Sequence, residues 1–187
     1  MDLSSINPVL LIASLMVSAT PILLAAIGEL VVEKSGVLNL GVEGMMITGA
    51  ICGFAIGVNT GSPVLGFMFA ALCGALLSLA FGILTQYLLS NQVATGLGLT
   101  LVGLGLSSLI GKPYEGMKSP TLQKMELPLL SDIPVLGKML FSHDPMVYFS
   151  ILMIAVVWAV LKFTRVGLVL RAVGESHDAA HALGFKV

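Results

Sequence analysis

The 187 residues carry 57% hydrophobic and 10% charged side chains, with a formal net charge of −1. Soluble domains carry about 25% charged residues, so this chain lacks the polar coat of a water-soluble globule, and a mean hydropathy of +1.02 makes the bilayer its solvent. The near-neutral charge excludes an electrostatic nucleic-acid binder, and the two cysteines, Cys52 and Cys73, both in apolar runs, exclude a disulfide framework and a thiolate metal site.

The first residues, Met1 to Ser5, lack the basic n-region of a signal peptide, and no small-residue cleavage site closes the first apolar run. That run therefore reads as a retained membrane helix. A helix needs about 20 apolar residues to cross a hydrocarbon core of roughly 30 Å. The runs that meet or approach this are residues 9–28, 37–58, 64–88, 93–110 and 146–163. Backbone in lipid must satisfy its own hydrogen bonds, so the runs are helices, and their length excludes the short alternating strands of a barrel. The fold class is all-α: a polytopic transmembrane helical bundle of about five spans.

Glu29 and Glu33 fall near the end of the first span and read as interface charges. The second run is broken by Asn39 and Glu43, with Gly36, Gly41 and Gly44 around them. A helix starting only after Glu43 and ending at residue 58 would be too short to cross, which places both polar residues in or at the edge of the membrane. Two readings stand: Asn39 caps the helix with Glu43 in its first turn, or the broken segment lines a pathway or gate.

Residues 57–63 form a tight turn by their Gly, Asn and Pro content. In the fourth run, small residues recur at helix-packing spacing, while Gln92, Thr95 and Thr100 could hydrogen-bond a polar solute. Residues 112–145 hold five prolines and both charge signs, and read as an extramembrane loop with a short surface helix near 136–141. The tail 164–187 is polar. Ser176 can cap a short helix with Asp178 in its first turn, running through Ala179, Ala180 and Ala182 and stopping at Gly184. Too short to persist alone, it suggests docking on a partner. His177 and His181 have i,i+4 spacing but no third ligand beyond Asp178, so no metal site is expected. No nucleophile–base pair occurs within the spans, so the chain does not read as an enzyme.

Five spans put the termini on opposite sides. Lys34, Lys162, Arg165, Arg171 and Lys186 fall on one side; Lys112, Lys118, Lys124 and Lys138 fall on the other. The cluster Lys162, Arg165 and Arg171 after the last span places the tail in the cytoplasm and the N-terminus outside.

Residues 33–46, with Ser35-Gly36-Val37-Leu38-Asn39-Leu40-Gly41-Val42-Glu43-Gly44-Met45-Met46 at their centre, resemble a helix-opening motif of the permease subunits of bacterial ABC importers. The match is to the branched-chain amino acid and simple-sugar superfamily, in its nucleoside and simple-sugar branch. The tail Arg171, Gly174, Glu175, Asp178, Ala179, Ala180 and Gly184 resembles the coupling loop with which such permeases dock on their ATPase. The family usually has Asn-Pro where this chain has Ser176-His177. The resemblance implies a transmembrane domain over residues 1–163, an external loop 112–145 and a coupling loop 164–187. The polar groups within the spans leave Asn39, Glu43, Gln92 and Thr95 as pathway or gate candidates, and the resemblance implies no cofactor of its own, because ATP falls to a partner. It also implies an ATP-binding subunit, a second permease subunit and an extracytoplasmic solute-binding lipoprotein or protein, in a bacterial plasma membrane. Family members run further, so the chain is expected to cover the N-terminal part of a permease. Against this stand a non-transporting scaffold subunit, or a channel or secondary carrier.

Overall fold

The computed structural model describes residues 8–122, 125, 126, 142–182 and 184. Five of its helices are long and apolar enough to cross a membrane. Helix α1 (Pro8–Lys34) opens on proline, whose missing N–H costs nothing in a first turn. It continues past the expected end at Gly28, so Glu29 and Glu33 are both helical.

Helix α2 (Val42–Thr60) differs from the sequence reading. It starts at Val42 and not at residue 37, because the chain turns out of helix at Gly36, where φ is +83°, and stays irregular to Gly41. It is nevertheless 19 residues long, about 28 Å at 1.5 Å per residue, because its far end runs on to Thr60. Gly61, at φ +68°, ends it.

Ser62 caps α3 (Pro63–Gly82), its Oγ accepting from the Leu65 N–H. A π turn over Ile83–Tyr87 extends this span, a feature the hydropathy pattern does not carry. Asn91 caps α4 (Gln92–Gly111), its Oδ1 accepting from the Ala94 N–H at 3.1 Å. A 3₁₀ turn (Lys112–Tyr114) follows. Of the 112–145 loop, the further described features include a two-residue antiparallel pairing of β1 (Met125–Glu126) with β2 (Ser142–His143). The surface helix expected near 136–141 lies outside the described residues.

Helix α5 (Pro145–Phe163) is the fifth span. The tail then forms two helices where one was expected: α6 (Arg165–Glu175) and α7 (His177–Ala182).

The chain divides into two compact units. One comprises residues 32–121 and 172–187, with α2 as the most enclosed of the five spans. Glycines let its neighbours approach backbone to backbone, the contact that drives helix association in lipid. A Cβ on Gly53 would lie 2.7 Å from the Gly66 carbonyl of α3, and one on Gly103 of α4 would lie 2.5 Å from the Gly44 carbonyl. The other unit comprises residues 1–31 and 122–171. In it, Lys162 Nζ lies 4.9 Å over the Trp158 ring and Phe163 meets that ring edge-on, an aromatic and basic cluster suited to a membrane interface. Thr164 then caps α6, its Oγ1 accepting from the Gly167 N–H at 3.1 Å.

Candidate functional site

The 35–41 segment is a polar, non-helical strip laid on α4. Asn39 is only 5% exposed. Its Oδ1 accepts the Gly41 N–H at 2.9 Å, and its Nδ2 points to Met45 Sδ at 3.7 Å. The residue therefore holds the turn before α2, while the N-cap position itself is Gly41 with no side-chain cap. The end of α1 holds the start of the segment, with the Val32 carbonyl accepting from Ser35 and Val37 and the Glu33 carbonyl from Gly36, and helix α4 supplies further partners. Gln92 Oε1 accepts the Leu38 N–H at 2.9 Å, and the Thr100 hydroxyl is shared between the carbonyls of Leu40 (3.2 Å) and Gly96 (3.3 Å). Gly41 and Gly96 permit this approach: a Cβ on Gly96 would sit 2.9 Å from the N of both Leu40 and Gly41.

Among the four pathway candidates, Asn39 and Gln92 thus meet on one strip. Glu43 stands apart, exposed in the first turn of α2, where the helix dipole favours its charge. Thr95 serves the turn before α4. Ser90 Oγ gives its proton to the Leu84 carbonyl at 2.7 Å, so Thr95 Oγ1 donates to Ser90 Oγ at 2.9 Å.

The coupling-loop residues form a second group. Ser176 caps α7, its Oγ accepting from the Ala179 N–H at 3.3 Å, and Asp178 lies in the first turn. Gly184 has φ +88° and its N–H reaches the His181 carbonyl at 2.9 Å. Arg171, Glu175, Asp178 and Ala179 are exposed, whereas Ala180 is buried. Gly174 packs on the end of α1: a Cβ there would strike the Lys34 carbonyl and lie 3.0 Å from Gly36 N. A Cβ on Gly36 would lie 3.2 Å from Gly174 Cα and 3.3 Å from His177 Cε1. The two motifs singled out in the sequence, far apart along the chain, therefore touch at a pair of glycines. The sequence reading missed this joint, although both glycines lie inside the quoted motifs. It also missed the π turn.

Five helices long and apolar enough to cross a membrane define a multi-pass membrane protein. Residues 11–187 match the family described as the branched-chain amino acid transport system permease component, and the chain belongs to that family. It is 38% identical over 174 residues to a proposed glucose ABC transporter permease of Haloferax volcanii, covering 91% of this chain and 53% of that protein. It is 35% identical over 201 residues to a guanosine ABC transporter permease of Bacillus subtilis, covering 100% of this chain and 62% of that protein. A nucleoside ABC transporter permease of Lactococcus lactis subsp. cremoris is 31% identical over 189 residues, covering 95% of this chain and 60% of that protein. The chain thus spans between half and two thirds of the length of these relatives. No solved structure matches it significantly. Family and apolar helices together make it a multi-pass protein of the plasma membrane.

Proposed function

We propose that this chain is part of the permease subunit of an ATP-driven importer for a nucleoside or simple sugar. The observation that carries the reading is the joint between Gly174 and the 35–41 segment. It brings an exposed surface on α6 and α7 against the strip that bears Asn39 and that Gln92 of α4 holds. The permease hydrolyses nothing itself. A partner ATPase docks on Arg171, Glu175, Asp178 and Ala179, which are exposed, and its closure is passed inward through Gly174. A second permease subunit and an extracytoplasmic binding protein complete the importer, and the solute moves by alternating exposure of a site between the spans. Asn39, Gln92 and Thr100 set the shape of the strip, while Glu43 and Thr95 flank it.

The test is the intact permease co-expressed with its ATPase and binding protein and reconstituted into liposomes. ATP-dependent uptake of guanosine or glucose is expected. Reversing both charges, Arg171→Glu with Glu175→Arg, should cut ATPase co-purification at least fivefold with the permease still folded. Co-purification that survives the reversal removes the coupling role and favours the scaffold reading. Uptake that persists after ATP depletion points to a channel or secondary carrier.

A further inference from the structure

A cavity of about 410 Å³ opens beside the glycine joint, within the unit that contains α2 to α4. It has three walls. The end of α1 and the 35–41 segment supply Ser35, Val37 and Asn39; α3 and its π turn supply Ser78, Phe81, Thr85 and Gln86; the coupling segment supplies Val173 and His177. Its volume lies within the range of small-molecule sites, roughly 300–1,000 Å³. A π turn in a helix often marks a functional position, and here it turns Thr85 and Gln86 into the same cavity.

We infer that this cavity is a chamber of the solute pathway, fitted to an uncharged hydrogen-bonding solute, with the coupling segment itself as one wall. The inference rests on the proposed importer function. Among the described residues the lining contains no Asp, Glu, Lys or Arg, so these offer no counter-charge for an ionic solute. It does offer free hydrogen-bonding groups. Thr85 Oγ1 is committed to the Phe81 carbonyl at 2.8 Å and Ser35 Oγ to the Val32 carbonyl at 2.6 Å. Ser78 and Gln86 make no side-chain hydrogen bond among the described residues and stay open to a ligand. His177 adds a ring nitrogen. Its Nδ1 meets the Val173 carbonyl at 2.7 Å, and a carbonyl only accepts, so Nδ1 carries a proton and Nε2 is the ring's remaining polar atom. Val32, Val37, Phe81 and Val173 supply apolar surface. Donors and acceptors over apolar walls suit a sugar or nucleoside. Because His177 and Val173 flank Gly174, motion of the coupling segment against Gly36 must change the chamber's shape.

The test uses the intact importer in opened membranes, with Cys52 and Cys73 replaced by alanine and Gln86→Cys as the reporter. A polar maleimide should label this variant at least tenfold faster than Leu72→Cys, on the same span but outside the lining. The transported solute, guanosine or glucose, should slow labelling at least threefold, and glucose 6-phosphate should not. Trapping nucleotide with vanadate should change the rate at least threefold, and Gly174→Ala, whose Cβ would strike the Lys34 carbonyl and shift the wall that bears Val173 and His177, should change the resting rate and abolish that response. Ser78→Cys gives the same readout should Gln86→Cys fail to assemble. Labelling no faster than at Leu72→Cys, or indifferent to both solute and nucleotide, overturns the inference. If ATP-driven uptake of both probes is absent from the unsubstituted importer, the proposed function fails first. Active uptake with an unprotected reporter sinks the chamber alone.

Discussion

Gly44 and Gly103 leave no room between α2 and α4 for a methyl group. A Cβ on Gly44 would lie 2.6 Å from the Leu99 carbonyl oxygen and from Thr100 Cα, and these are backbone atoms that cannot swing aside. Gly103→Ala should therefore destabilise the protein by about 1–3 kcal/mol through overpacking, read as a lower unfolding temperature in detergent. Gly98, on the same helix, has nothing within 4 Å of its Cβ position. Gly98→Ala should be neutral or stabilise by up to about 1 kcal/mol, through helix propensity alone. Equal effects at the two sites would show that the tight contact does not govern α2–α4 packing. Asn39 is the polar counterpart. Asn39→Ala would leave the buried Gly41 N–H without its acceptor, a loss of about 1–3 kcal/mol. ATP-driven uptake by the assembled importer should fall with it. Full stability and full uptake in that variant would reduce Asn39 to a bystander.

The 35–41 segment shows both how far the sequence carries and where it stops. Its composition announced a broken, polar stretch, and Asn39 and Gln92 were both legible as polar groups in apolar runs. The start of α2 was not. Val37, Leu38 and Leu40 look like helix to hydropathy, but Gly36 takes a left-handed φ and Asn39 captures the Gly41 N–H. The decisive partners come from α4, more than fifty residues away along the chain, and single-chain periodicity carries no such pairing. The π turn was hidden for the same reason, since Ile83–Tyr87 has the composition of ordinary helix. By contrast, α6 was missed although Gly167, Arg171 and Gly174 fall at i, i+4 and i+7, one face of a helix. The partnership with α4 can be measured. Gln92→Leu removes the acceptor of the Leu38 N–H. Losing about 1.4 kcal/mol of local stability should speed exchange of that amide about tenfold, whereas Gln92→Glu, which keeps an acceptor, should change it far less. Unchanged exchange in Gln92→Leu would mean that other contacts hold the segment.

Across the whole chain, parity and charge make a prediction of sidedness. Five membrane-crossing helices put the 112–122 region and the 172–182 region on opposite faces, because a single span separates them. On the proposed importer function, the cluster Lys162, Arg165 and Arg171 would put the second region in the cytoplasm, the face where a partner ATPase would have access to α6 and α7. Ser119 and Ser176 are both exposed, so each can carry a reporter, with only the 3.3 Å cap of α7 given up at 176. In intact cells expressing the permease, an impermeant maleimide should label Ser119→Cys and spare Ser176→Cys. In inverted vesicles the pattern should reverse. Labelling of Ser176→Cys from outside would turn the protein over and place α6 and α7 beyond the reach of any cytoplasmic motor, and the coupling role of Arg171, Gly174 and Glu175 would fall with it. Labelling of both sites from one side would instead require an even number of crossings between them, and α5 would then have to lie along the membrane surface. Its apolar length of 19 residues and its mean hydropathy of 2.2 argue against that.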